Sequence, residues 1–204
     1  MPTPPKHRDA IVRAASDLFR RQGYAATGLN QIIATSGAPK GSLYHYFPLG
    51  KEQIGEEVVR AAGRLVTRTL TEVAAAQRSP GAVLRRYARM VVGWMEESGF
   101  RDGGPITTTL LELAPRVPGV TAAGREAFAA WSAVLAGELT AAGVKPARAR
   151  RLATLAIAAL EGSLVLARVE QDGRPILDAM GAVAERWDAA VAEATATGAT
   201  ATGA

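Results

Sequence analysis

From Lys6 to Gln22 the apolar residues Ile11, Ala14, Ala15, Leu18 and Phe19 recur three and four positions apart, which gathers them on one face of a helix. Gly23 is suited to stop that helix. Leu29, Ile32 and Ile33 repeat the pattern over a shorter stretch, with Thr27 placed to cap it and Ser36-Gly37 to close it. Pro39 fits the first turn of a third short helix, where its missing N–H costs nothing, and Leu43 and Phe47 lie four apart before Pro48 and Gly50 end it.

Beyond Lys51 the segments lengthen. The pattern predicts helices from Lys51 to about Gln77, from Ala82 to Glu97, and a short one from Pro105 that stops before Pro115 and Pro118. Three longer ones follow, from about Val120 to Ala142, Pro146 to Glu170 and Pro175 to Ala194. The turns Gly143-Val144-Lys145 and Asp172-Gly173-Arg174 are short enough to demand antiparallel neighbours. No run alternates with period two, so the fold class is all-α, with about nine helices. Met1–Pro5, with three prolines, is expected to be disordered, and Ala194–Ala204, an Ala/Thr/Gly tail of low complexity, to fray.

Composition narrows the chemistry. In 204 residues, 48% are hydrophobic but only 5% aromatic, so the apolar content is mostly small side chains that favour close-packed helices. There is no Cys and only His7 and His45, which excludes disulfide scaffolds, Cys-ligated zinc, thiol nucleophiles and multi-histidine metal sites. No nucleophile–base arrangement, dinucleotide fingerprint or phosphate loop is present, and Gly162-Ser163 reads as close helix packing rather than a nucleophile elbow. No catalytic residue, metal or cofactor is therefore expected. Apolar runs fall short of a membrane span and the first twenty residues carry charges, so a cytoplasmic protein with no membrane partner is expected.

The net charge of +5 is unevenly placed. Residues 1–51 hold seven of the 24 basic residues and two of the 19 acids, leaving 17 of each for the rest of the chain. The whole excess thus belongs to the first quarter, as in an anion-binding module joined to a neutral body; chance clustering on a solvated face is the plainer alternative.

Two short helices joined by a tight turn at Gly37, braced by a preceding amphipathic helix, make a helix-turn-helix, whose second helix enters the major groove of DNA. With Leu43 and Phe47 facing inward, Lys40, Ser42, Tyr44, His45 and Tyr46 are left for phosphates or base edges, and Gly41 lets the backbone approach closely.

These residues resemble the tetracycline-repressor-like (TetR) family of regulators. The resemblance covers about Ile11 to Ile54: Phe19 with Gly23-Tyr24, Thr27, Gly37, the string Lys40-Gly41-Ser42-Leu43-Tyr44-His45-Tyr46-Phe47, and Lys51-Glu52. Departures are Gly28 where a second Thr is common, Pro39 where Ser is frequent, and an extra residue in Phe47-Pro48-Leu49-Gly50-Lys51. The last, with Ala38-Pro39-Lys40-Gly41, resembles the branch containing lincomycin-resistance and flavonoid-responsive repressors. The resemblance implies that Thr27, Tyr44 and Lys51 hold phosphates. It also implies that Lys40, Gly41, Ser42, His45 and Tyr46 lie at or near base edges, although His45 could equally be an idle exposed side chain.

The domains expected are a DNA-binding helix-turn-helix over residues 1–50, a helical ligand-binding and dimerisation body over 51–193, and the tail over 194–204. In the last two long helices the apolar residues cover more than one stripe, so that a second face is expected to be buried against a second copy of the chain. Such an interface is expected to use Leu152, Leu155, Ala159, Ser163, Leu164, Met180, Val183 and Trp187, and the family resemblance implies a homodimer on a palindromic operator. Large side chains among the alanines of the middle helices, Tyr87, Trp94, Phe100, Phe128 and Trp131 with Met90, Met95 and Leu111, could line a cavity for a flat apolar molecule or simply fill the core. Thr108, with Thr107 and Thr109, is a polar lining candidate, and Glu112 and Glu161 are possible partners for a polar or cationic group. The expected function is a transcriptional repressor released from double-stranded DNA by a small-molecule effector. A ligand-independent regulator on the same fold, and a helical small-molecule enzyme or carrier, are the alternatives.

Overall fold

A computed structural model describes residues 6–202, which contain nine helices and no strand among the described residues. They are α1 (Lys6–Gln22), α2 (Leu29–Ser36), α3 (Lys40–Tyr46), α4 (Lys51–Ala75), α5 (Pro80–Glu97), α6 (Pro105–Leu113), α7 (Pro118–Ala141), α8 (Pro146–Glu170) and α9 (Arg174–Thr202). The expected disorder of Met1–Pro5 lies outside the described residues. Proline opens α5, α6 and α8 in their first turn, where no intrahelical N–H is lost. Ser79 caps α5 by accepting from the Ala82 N–H at 3.3 Å, so that helix begins two residues earlier than the apolar periodicity indicates. The chain does not leave the helix at Ala194: α9 continues through Thr202, because Ala is the strongest helix former, and the Thr195 and Thr197 hydroxyls satisfy themselves on the Val191 and Glu193 carbonyls without ending it.

The chain divides into two compact units, one made of the residues up to Leu65 with Asp102–Phe128, the other of Val66–Arg101 with Ala129 onward. In the first, α1 packs against α2, α3 and α6. Its core holds Ile11, Phe19, Ile32, Leu43, Phe47, Ile54 and Val58, all fully buried. Each contributes about 1.5–3 kcal/mol by leaving water. Arg8 pairs with Glu57 at 2.7 Å, and Arg60 pairs with both Glu56 and Glu126, tying α1 to α4 and α4 to α7. Gly63 lets α4 and α7 close up, for a Cβ there would stand 2.7 Å from that of Ala127.

In the second unit α9 lies across α5 and α8. Trp187 is fully buried there and its Nε1 donates to the Leu152 carbonyl at 3.4 Å. Arg85 and Asp188 pair at 2.8 Å over Gly81, whose missing side chain leaves room for the carboxylate.

α8 corrects the expectation about apolar runs. Its mean hydropathy reaches 1.7 over an 18-residue window with at most two charges, and only 33% of that window is buried. By length and composition alone it would pass for a membrane span, because Glu161 and Arg168 are too sparse to offset its Leu, Ile, Val and Ala.

Candidate nucleic-acid interface

The arrangement of α1, α2 and α3 is built by three local devices. α1 ends at Gln22, whose side-chain amide exchanges hydrogen bonds with that of Gln31 at 2.9 and 3.2 Å and donates to the Ala26 carbonyl, fastening α2 to α1. α2 ends at Gly37, where φ is +64°, a left-handed conformation that Gly adopts without a Cβ clash. Pro39, extended at φ −56° and ψ 140°, stands just before α3 and not inside its first turn. Its carbonyl accepts from the Ser42 N–H at 2.9 Å.

Leu43 and Phe47, fully buried, anchor α3 on α1, where Arg8 also lies 5.8 Å from the centre of the Phe47 ring. The anchoring turns the remaining residues outward. Lys40, Gly41, Tyr44 and His45 are exposed, and Ser42 and Tyr46 half-buried. The His45 and Tyr46 rings meet edge to face at 4.9 Å. A Cβ added at Gly41 would meet nothing within 4 Å, so packing inside the protein does not require glycine there.

Two expectations about Thr27 change. It does not cap α2: Gly28 occupies that position without a side-chain bond. Thr27 is also 1% exposed, and its hydroxyl donates to the Gly23 carbonyl at 2.8 Å. Its side chain therefore closes the turn between α1 and α2 and presents no free surface to a phosphate. Once Gly stands at position 28, the cap that a second Thr could supply is gone.

Lys51, the first residue of α4, is half-buried, with its ammonium 4.1 Å from the centre of the Tyr24 ring and donating to the Ala25 carbonyl at 3.4 Å. Burial lowers its pKa, opposed by the carboxylate of Glu112. Glu112, on α6, accepts from the Tyr24 and Ala25 N–H groups at 2.8 and 2.6 Å. It is thus a partner of the α1–α2 turn and not of a bound ligand. Nothing in the local sequence pairs residues 88 apart, so this contact was not legible before the fold.

The profile of the tetR family of bacterial regulatory proteins matches residues 11–58, and that of the LmrA/YxaF-like transcriptional regulator C-terminal domain matches residues 80–183. The chain belongs to the TetR family. Among its TetR relatives, YxaF of Bacillus subtilis is 34% identical over 170 residues, covering 83% of this chain and 89% of that protein. LmrA of the same organism is 32% identical, covering 83% and 90%. A solved TetR regulatory protein from Rhodobacter sphaeroides superimposes with a TM-score of 0.75 at 25% identity, over 87% of this chain and 96% of that one. The chain is accordingly a DNA-binding transcriptional regulator, of a family of regulators and not of enzymes.

The body of this TetR regulator redistributes the other expected residues. The second unit holds a cavity of about 20 Å³, whose walls include Leu84, Tyr87, Trp131, Leu135, Ile157 and Met180. Of the expected cavity residues, Tyr87 and Trp131 line it. Trp94 is 46% exposed and stacks edge to face on Tyr87 at 6.3 Å. Met90 packs against Val73, Ala74 and Val83, and Phe100 sits half-buried in the left-handed turn that ends α5, its N–H donating to the Met95 carbonyl at 2.7 Å. In the first unit Leu111 is 79% exposed, Phe128 is half-buried, and the Thr108 hydroxyl donates to the Gly104 carbonyl at 3.0 Å. Size nominated the large side chains and polarity nominated Thr108, and neither says which way a helix faces. Burial, and secondarily Glu161, raise the pKa of the Tyr87 hydroxyl.

The expected interface residues also separate into two groups. Leu152, Ser163, Met180, Val183 and Trp187 are buried within their own subunit, leaving no surface for a partner. Ala159 and Leu164 are half-buried and Leu155 exposed. The large apolar side chains left exposed on α8 are Leu155, Val165, Leu166 and Val169, with Leu177 on α9.

Proposed function

We propose that this regulator is a homodimeric repressor that grips a two-fold symmetric operator and is released by a small apolar or aromatic molecule. The observation that carries the DNA half of the reading is the division of α3. Leu43 and Phe47 are sealed into the core while Lys40, Gly41, Tyr44 and His45 share the outer surface. On this reading Lys40, Gly41, Ser42, His45 and Tyr46 face base edges, and Tyr44 and Lys51 hold the phosphates that fix the register.

The dimer is supported by α8, whose uncovered Leu155, Val165, Leu166 and Val169 form a stripe that water does not favour. An isologous interface through α8 and α9 would also supply the two-fold axis that a symmetric operator requires.

The effector half is supported by the aromatic cavity beside Tyr87 and Trp131. About 20 Å³ has room for little more than a water, so a flat ligand must open it. That opening is the means of release: a ligand that binds only the opened conformer shifts the population toward it, by no more than its preference for that conformer. α4, continuous from Lys51 to Ala75, would carry the change to the DNA-facing lysine. A thermal-shift series with flavonoids, antibiotics and cationic dyes tests this, because a ligand at 100 times its Kd adds ~2.7 kcal/mol of stability. An aromatic compound that raises Tm and releases DNA is the expected result. A protein that binds DNA and answers none of them is the ligand-independent regulator.

A further inference from the structure

Glu112 lies near the end of α6, yet its two carboxylate oxygens take the N–H groups of Tyr24 and Ala25, at 2.8 and 2.6 Å. These donors follow directly on the end of α1, past the last N–H that bonds back to that helix, which is Gly23 N–H to the Phe19 carbonyl at 3.0 Å. Gly23 keeps the approach open: φ there is +85°, and a Cβ would stand 2.9 Å from the nearer Glu112 oxygen. The segment so held is the one on which Lys51 rests, through the Tyr24 ring and the Ala25 carbonyl. A carboxylate beside a phosphate-binding lysine repels DNA, so charge alone would make its removal improve binding. Its contacts argue for the opposite sign.

We propose that Glu112 is a positioning residue for DNA binding, which fixes the Tyr24–Ala25 turn and thereby presents the Lys51 ammonium to a phosphate. The inference rests on the reading of Lys51 as a phosphate contact. α6 then belongs to the grip on DNA although it touches none.

The test measures Kd against salt for the full-length protein on the duplex it selects from a random library, comparing wild type, Lys51→Ala, Glu112→Ala, Glu112→Gln and the Lys51/Glu112 double alanine variant. Lys51→Ala is expected to lower the log–log salt slope by ~0.9, one phosphate contact. Glu112→Ala is expected to weaken binding about tenfold, as for the loss of hydrogen bonds to a charged group, and to lower the slope by the same amount. The double variant is expected to bind no more weakly than the worse single one, since both remove one contact. Glu112→Gln, which keeps one acceptor oxygen and no charge, is expected to fall between wild type and alanine, and it carries the test if the alanine variant loses its helical circular dichroism. Binding as tight as wild type or tighter in the Glu112 variants, or weaker binding with an unchanged slope, overturns the proposal. A slope unchanged by Lys51→Ala removes the phosphate contact and this proposal with it, whereas a slope lowered by Lys51→Ala alone leaves that contact standing and overturns only the role of Glu112.

Discussion

Gly41 sits in a seven-residue helix, exposed, with open space where a side chain would be. Glycine in a helix costs about 0.8–1 kcal/mol relative to alanine, and nothing inside the protein recovers that cost. A DNA backbone or base edge pressed against α3 would. Gly41→Ala is therefore expected to raise Tm by a few degrees while weakening operator binding, a split readable by calorimetry and fluorescence anisotropy on one preparation. An alanine variant that binds DNA like wild type would remove the reason for the glycine. Lys40→Ala and Tyr44→Phe should each weaken gel-shift affinity with Tm unchanged, since both side chains are exposed. Tyr24 behaves differently. Burial first, then Glu52 and Glu112, push its hydroxyl up to about 12 from 10.0. The unfolded chain ionises this group first, so the stability it contributes is complete below pH 10 and is lost as pH rises toward 12. Tyr24→Phe should flatten that part of the alkaline unfolding profile. Which residues of α3 face outward was readable beforehand because Leu43 and Phe47 fix its inner face. The role of Thr27 was not, for a hydroxyl beside a helix start serves equally as cap, turn closure or phosphate ligand until the turn itself is seen.

Among the elements, periodicity located the helices to within a few residues, except where composition misled. Small, unbranched Ala carried α9 past the point where the large side chains end. α8 shows the deeper limit. It is apolar on most sides, so spacing offers no contrast between the face that meets Trp187 and the face left uncovered. Leu152 went to the first and Leu155, three residues on, to the second. This separation can be tested. Val165→Glu with Val169→Glu, both on the uncovered face, should convert a dimer to a species of 21.3 kDa in sedimentation with helical circular dichroism intact. Val183→Glu should instead unfold the protein, because it buries an unpaired charge. Dimers surviving the paired substitution would exclude the α8 stripe as the interface. In the first unit, Gly63→Ala should destabilise by about 1–3 kcal/mol in chemical denaturation, because the Cβ of Ala127 cannot yield without moving its backbone.

For the whole molecule, the +5 charge and its concentration in the first quarter are coherent with a DNA-binding regulator whose N-terminal helices carry the excess charge. The fold class and the helix-turn-helix were legible because short-range pattern determines them: glycine turns and a buried pair four residues apart. The cavity and the Glu112 contact were not, since both depend on which distant helices pack together. The most direct test of the account is selection by the full-length protein of duplexes from a random library. A dimer reading DNA through α3 is expected to enrich a two-fold symmetric sequence with half-sites about one helical turn, ~34–36 Å, apart, and to lose that enrichment in Lys40→Ala. No enrichment, or enrichment of a single unsymmetric site, would contradict it.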